Sequence, residues 1–169
     1  MSKFNAHRIT NIGVVAAIYV VLTIVGGDLS YGPIQFRVAE ALMLLCFFSK
    51  DYILSLTLGC FIANIYSTVG LIDTVVGTSA TLIAGILIYL FRKDNSLSRM
   101  IVCSLFPVVA NGFLVGAELN LVLKFPFWLS VGEVVLGEFV CVTVLGVILF
   151  KLLSKNKGFM KLICSESIA

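Results

Sequence analysis

The residues able to do chemistry are few and sit in apolar surroundings: Arg37, Glu40, Asn64, Asn111, Glu118, Trp128, Glu133 and Glu138. Arg37 and Glu40 are three apart and Asn111 and Glu118 seven apart, so each pair shares a helical face. What these types offer is recognition. A carboxylate accepts two parallel N–H bonds from an amidine-like or guanine-like edge, and a guanidinium donates to a carbonyl. The machinery of catalysis is missing. There is no GxxxxGK[ST] loop to hold a nucleotide, so the chain hydrolyses no ATP by itself. His7 is the only histidine and precedes the first apolar run, which leaves a metal centre without imidazoles and the serines without a base. These features predict a binder or translocator with no metal and no cofactor, and not an enzyme.

Plainer roles compete at each position. Arg37 and Glu40 can pair with each other. Asn64 and Asn111 can be hydrogen-bond glue between helices. Glu118 and Glu133 resist such a reading, because Arg37 and Lys124 are the only cations on their side of the chain. Glu138 has no evident partner and reads as a protonated structural carboxyl, a deeper site residue or a contact to another subunit. Asp28 and Asp73 fall in loops, as solvated turn residues or as the lining of an entrance. Trp128, with Phe125 and Phe127, is either an interfacial aromatic belt or a stacking platform.

Membrane helices must position these groups. Of 169 residues, 60% are hydrophobic and 12% charged, about half the charge of a soluble domain. A span takes about 20 apolar residues. Turn residues divide the chain into six candidate spans, 11–25, 34–48, 52–69, 74–91, 100–123 and 126–150. In the first, Ala16 and Ala17 lie inside the apolar run and no cleavage site follows it, so it reads as retained. The second is short for a bilayer of about 30 Å, which puts its outer end inside protein. An N-in/C-in topology places Lys3, Arg8, Lys50, Arg92, Lys93, Arg99, Lys151, Lys155, Lys157 and Lys161 in the cytoplasm, ten of the twelve cations. The expected organisation is a cytoplasmic N-terminus over 1–10, an all-α six-helix transmembrane substrate-binding domain over 11–150, and a basic cytoplasmic tail over 151–169. The tail reads as an anchor to the lipid bilayer, not as a nucleic-acid site.

On this frame the polar groups converge in the outer third. At about 1.5 Å per residue, Arg37 and Glu40 follow the start of their span by roughly 5 and 9 Å. Asn64 and Glu118 precede the ends of theirs by about 8 Å, and Glu133 follows the start of its own by about 10 Å. Asn111 lies roughly 10 Å deeper than Glu118. The outer side holds Asp28, Glu40, Asp73, Glu118 and Glu133 against Arg37 and Lys124, a net negative field that favours a cationic or N–H-rich ligand. A second signal is the small face of the first span, Gly13, Ala16 and Ala17, whose spacing permits close approach of a helix from this or another chain. Gly59-x-x-x-Ala63 and Gly112-x-x-x-Gly116 carry the same signal and are expected to pack internally. The five cysteines match no metal or CxxC spacing and read as small apolar fillers.

Several stretches together resemble a known family. Phe36-Arg37-Val38-Ala39-Glu40-Ala41-Leu42, Leu58 to Asn64, Asp73-Thr74-Val75-Val76-Gly77-Thr78, Ala110-Asn111-Gly112, Val115-Gly116-Ala117-Glu118-Leu119 and Pro126 to Glu138 are similar to QueT, an S component of energy-coupling factor (ECF) transporters. The likeness covers about residues 10 to 150. It implies an S-component-like bundle that takes up a queuosine precursor, a 7-deazaguanine such as preQ1, or queuine. It also implies partners, a transmembrane coupling subunit and two ATPase subunits. The first helix of S components usually carries Ala-xxx-Ala, and here Gly13 replaces the first alanine. Other readings are an S component for another N–H-rich or cationic vitamin-like substrate, a stand-alone membrane facilitator, or a structural membrane protein with no ligand.

Overall fold

The computed structural model describes residues 6–32, 35–67, 69–94 and 96–164. Lys3, the side chain of His7, Pro33 and Ile34 lie outside the described residues. Among the described residues every regular element is helical. In chain order they are α1 (Ala6–Gly26), α2 (Asp28–Tyr31), a 3-10 helix (Val38–Phe47), α3 (Asp51–Asn64), α4 (Leu71–Phe91), α5 (Leu97–Leu123), α6 (Phe127–Glu138), a π-helical stretch (Phe139–Gly146), α7 (Val147–Leu153) and α8 (Lys157–Ile163). Four helices are long and apolar enough to cross a membrane: α1 from Arg8, α4, α5 and the continuous run Phe127–Leu153.

The second and third expected spans differ from the others. The second is a 3-10 helix, which at about 2.0 Å per residue reaches roughly 20 Å. Its wall is protein: Ala39, Glu40, Ala41 and the run Met43 to Phe47 are all buried. Arg92 holds its end by donating to the carbonyls of Phe47 (3.1 Å) and Phe48 (2.8 Å), with its guanidinium 4.1 Å from the centre of the Tyr89 ring. The third span stops at Asn64, short of the expected Val69. The Asn64 carbonyl accepts from Ser67, and Gly70, at φ 85°, turns the chain into α4.

Glycines set the closest approaches. A Cβ at Gly59 would lie 3.0 Å from the Ala16 carbonyl, so α1 and α3 run side by side. A Cβ at Gly112 would meet Val135 at 2.5 Å, and one at Gly116 would meet Val131 at 2.7 Å, which fixes α5 antiparallel to α6. Both small-xxx-small pairs therefore pack internally, as expected. The π-helical stretch presses on the 3-10 helix where Gly146 faces Ala41. The ends of α1, α3 and α5 and the starts of α4 and α6 share one end of the bundle. The opposite end carries both described termini, with the Arg8–Asp51 ion pair joining α1 to α3.

The residues beyond 150 are more than a basic tail. α7 continues the last long helix, and α8 folds back so that Ile163 is buried and its carbonyl accepts from the Tyr52 hydroxyl at 3.3 Å. Lys157 and Lys161 remain exposed.

Candidate functional site

Arg37 occupies the centre of a buried polar cluster. It lies in the extended residues just before the 3-10 helix and is 4% exposed. Its Nη2 is 4.0 Å from Asp73 Oδ2, its Nη1 is 4.0 Å from Cys60 Sγ, and its guanidinium sits 5.9 Å from the centre of the Tyr31 ring. Tyr31 is itself pinned, its hydroxyl donating to the Ala63 carbonyl at 2.8 Å.

Asp73 corrects the reading of a solvated turn residue. It stands in the first turn of α4 and is 1% exposed. Asn64, the last residue of α3, donates from Nδ2 to the Asp73 carbonyl at 3.1 Å and to Cys60 Sγ at 3.4 Å. Thr81 donates to the same sulfur at 3.2 Å. Cys60 is therefore a polar partner inside the cluster and not only a filler.

Glu40 does not pair with Arg37 as a neighbour on one face. Arg37 lies outside the helix, at φ −87° and ψ 87°, so the two share no helical face, and Glu40 instead accepts the hydroxyl of Tyr19 on α1. Glu138 does have a partner: Asn111 donates to its Oε1 at 2.8 Å, tying α5 to α6. Glu118, 2% exposed on α5, lies close enough to feel the charges of Asp73 and Arg37, and Glu138 those of Glu40 and Arg37. Four carboxylates and one guanidinium thus share one enclosed region.

Many of these atoms have no hydrogen-bond partner among the described residues. They are Arg37 Nε and Nη2, one oxygen each of Glu40 and Glu138, both oxygens of Asp73 and both oxygens of Glu118. A buried polar group without a partner costs about 1–3 kcal/mol, more when charged. Their concentration around one guanidinium makes the region the candidate for meeting polar groups from outside the chain. The oxygens outnumber the free donors, so a ligand rich in N–H would fit it.

Two expected site residues stand apart. Glu133 is half-buried on α6 and makes no hydrogen bond or ion pair among the described residues. The face of α6 that carries Val131, Val134 and Glu138 turns inward and leaves Glu133 to its side. Trp128 is 74% exposed with its ring edge-on to Phe127 at 5.0 Å, the arrangement of an interfacial belt. On α1 the small residues divide. Ala16 is buried against α3, which overturns its place on a partner-facing surface. Gly13 and Ala17 are exposed, and a Cβ at Gly13 would meet nothing within 4 Å.

A groove of about 240 Å³ at the opposite end, between α1, the 3-10 helix and α7–α8, is lined by Leu42, Leu45, Phe150, Phe159 and other apolar groups. It offers little to a ligand that must be read by hydrogen bonds. The polar cluster is the better candidate.

The sequence reading left out Tyr19 and Tyr31, and had Asp73 only as a turn residue or entrance lining and Cys60 only as a filler. A signal existed for two of them. Cys60 precedes Asn64 by one helical turn, and Asp73 precedes Gly77 by one turn, so each shares a face with a residue already conspicuous. Nothing local to Tyr19 or Tyr31 announces their contacts.

Residues 9–155 match the QueT transporter family. The chain is also similar to the queuosine precursor transporter QueT of Lactococcus lactis subsp. cremoris (strain MG1363), with 38% identity over 149 residues, 82% of this chain and 88% of that relative. No solved structure matches the chain.

Proposed function

This chain belongs to the QueT transporter family, and from that premise we propose that it is the substrate-binding S component of an energy-coupling factor transporter for a queuosine precursor. The substrate is a 7-deazaguanine such as preQ1, or queuine. One observation carries the reading: both carboxylate oxygens of Glu118 are buried without a donor, in a cluster with four acids and a single arginine. The pyrimidinone edge of a 7-deazaguanine presents N1–H and an exocyclic NH2, two donors for one carboxylate, beside a carbonyl that suits Arg37. Glu40, Asn64, Asn111 and Glu138 orient the neighbouring groups. Glu133 and Trp128 take part only at the margin of the site, if the ligand extends that far.

The remaining parts of the proposal follow from the same helices. The two short apolar elements complete a six-span bundle within the four long ones. Both termini face the cytoplasm, because the end of the bundle that carries them holds most of the lysines and arginines. The polar cluster then faces outward, toward incoming substrate. Energy comes from partners, since the chain has no phosphate loop: a transmembrane coupling subunit and two ATPases. Gly13 and Ala17 meet the coupling subunit, as α1 is the least buried of the four long helices.

Mass spectrometry of small molecules retained by the purified chain tests the reading. It predicts a 7-deazaguanine in the wild type and a marked loss in Glu118→Gln. Uptake by vesicles containing this chain alone would assign it instead as a stand-alone facilitator.

A further inference from the structure

We propose that Asp73 selects a positively charged arm on the substrate, while Glu118 holds the pyrimidinone edge. The inference rests on the cluster being the queuosine-precursor site. It goes further by naming the residue that discriminates among 7-deazaguanines.

Three observations converge on Asp73. Its carboxylate is enclosed, at 1% exposure, and neither oxygen has a hydrogen-bond donor among the described residues. Its place is nonetheless tightly specified. Asn64 holds its backbone carbonyl at 3.1 Å, and the bare Cα of Gly77 leaves space that a Cβ would close to 3.0 Å from Asp73 Oδ1. A side chain positioned with this much support, with Arg37 no nearer than 4.0 Å and no hydrogen-bond donor among the described residues, is positioned for something that arrives. The third observation is charge. Arg37, the only cation of the cluster, stands 4.0 Å from Asp73 and is shared with Glu40, Glu118 and Glu138. One guanidinium cannot balance four ionised carboxylates in an enclosed region, so acids placed there either stay protonated or meet a cation. A ligand that brings its own positive charge gives an ionised carboxylate there a partner, whereas a neutral one does not.

The position also divides the labour. Glu138 has one oxygen occupied by Asn111, and Glu40 has one occupied by Tyr19, so each offers a single acceptor. Among the described residues of the cluster, Asp73 and Glu118 alone have no hydrogen-bond donor on either oxygen. With Glu118 taken by the pyrimidinone edge, Asp73 is the carboxylate left with both oxygens for an ammonium, which has three donors to give.

The test is equilibrium binding to the purified chain of two 7-deazaguanines that differ only in the arm. One carries a protonated aminomethyl group and the other a neutral hydroxymethyl group. The wild type should prefer the cationic base by tenfold or more, the range of a charge-assisted hydrogen bond. Asp73→Asn, which keeps the shape, should lose most of that preference while still binding the neutral base within about threefold of wild type. Retained binding of the neutral base shows that the variant is folded. Equal affinity of the wild type for both bases overturns the inference and leaves the proposed function standing. Failure of the wild type to bind either base overturns both. If neutral-base binding rises to match the cationic base as sodium is increased, the carboxylates serve an inorganic cation and the inference fails. An equal loss for both bases in Asp73→Asn makes Asp73 a structural residue and also overturns it.

Discussion

Gly77 is what lets Asn64 reach across to α4: a Cβ at Gly77 would come within 2.5 Å of the Asn64 amide nitrogen. The absence of a side chain there allows the end of α3 to bond the start of α4, and with it sets the carboxylate of Asp73 beside Arg37. Gly77→Ala should therefore displace Asn64 and cost about 1–3 kcal/mol, as overpacking does elsewhere. Ligand affinity should fall with it. Thermal melting in detergent alongside a binding titration checks this, and wild-type values in both would show that the amide has room to move.

The Asn111–Glu138 hydrogen bond should behave as a unit. Asn111→Ala leaves a buried carboxyl without its donor and should destabilise by about 1–3 kcal/mol. In a cycle with Glu138→Gln the two effects should be clearly non-additive, because the groups touch. Additive effects would show that the bond contributes nothing of its own.

Glu118→Gln and Glu133→Gln separate the two outer glutamates that look equivalent in sequence. Replacing the Glu118 carboxylate turns one acceptor into a donor in an enclosed site and should weaken binding tenfold or more, with the fold intact. The same change at half-buried Glu133 should alter affinity by less than about threefold. A titration of each variant decides, and the reverse order would place the ligand against α6.

Much of this arrangement was legible in the sequence. A charge within a long apolar run is conspicuous, and Arg37, Glu40, Asn64, Asn111, Glu118 and Glu138 all proved buried in the one cluster. The short second segment was also legible as enclosed by protein. What failed was partner choice. Arg37 and Glu40 share a face only if both lie in the helix; Arg37 stands just before it with non-helical dihedrals and goes to Asp73, while Glu40 goes to Tyr19. Asp73 was misplaced because α4 begins at Leu71, three residues earlier than its apolar run suggests. Glu133 was drawn in by its depth and by the scarcity of outer cations, and neither says which way a side chain faces.

The α1 surface gives a contrast within three neighbouring positions. Ala17→Leu and Gly13→Leu should abolish ATP-driven uptake and capture of the coupling subunit, while ligand binding by the isolated chain persists. Ala16→Leu should instead damage the fold, because Ala16 is 4% exposed and lies against Gly59 of α3. A pull-down paired with a melting curve distinguishes them. Intact capture by both exposed-face variants would move the partner surface elsewhere.

The most direct measurement is a calorimetric titration of the purified chain, free of any partner subunit, with preQ1. The buried acid cluster predicts saturable binding of one molecule per chain, weakened tenfold or more in Glu118→Gln and unchanged in Ala17→Leu. Absence of binding by the wild type, or equal binding by Glu118→Gln, would contradict the assignment of this cluster as the substrate site.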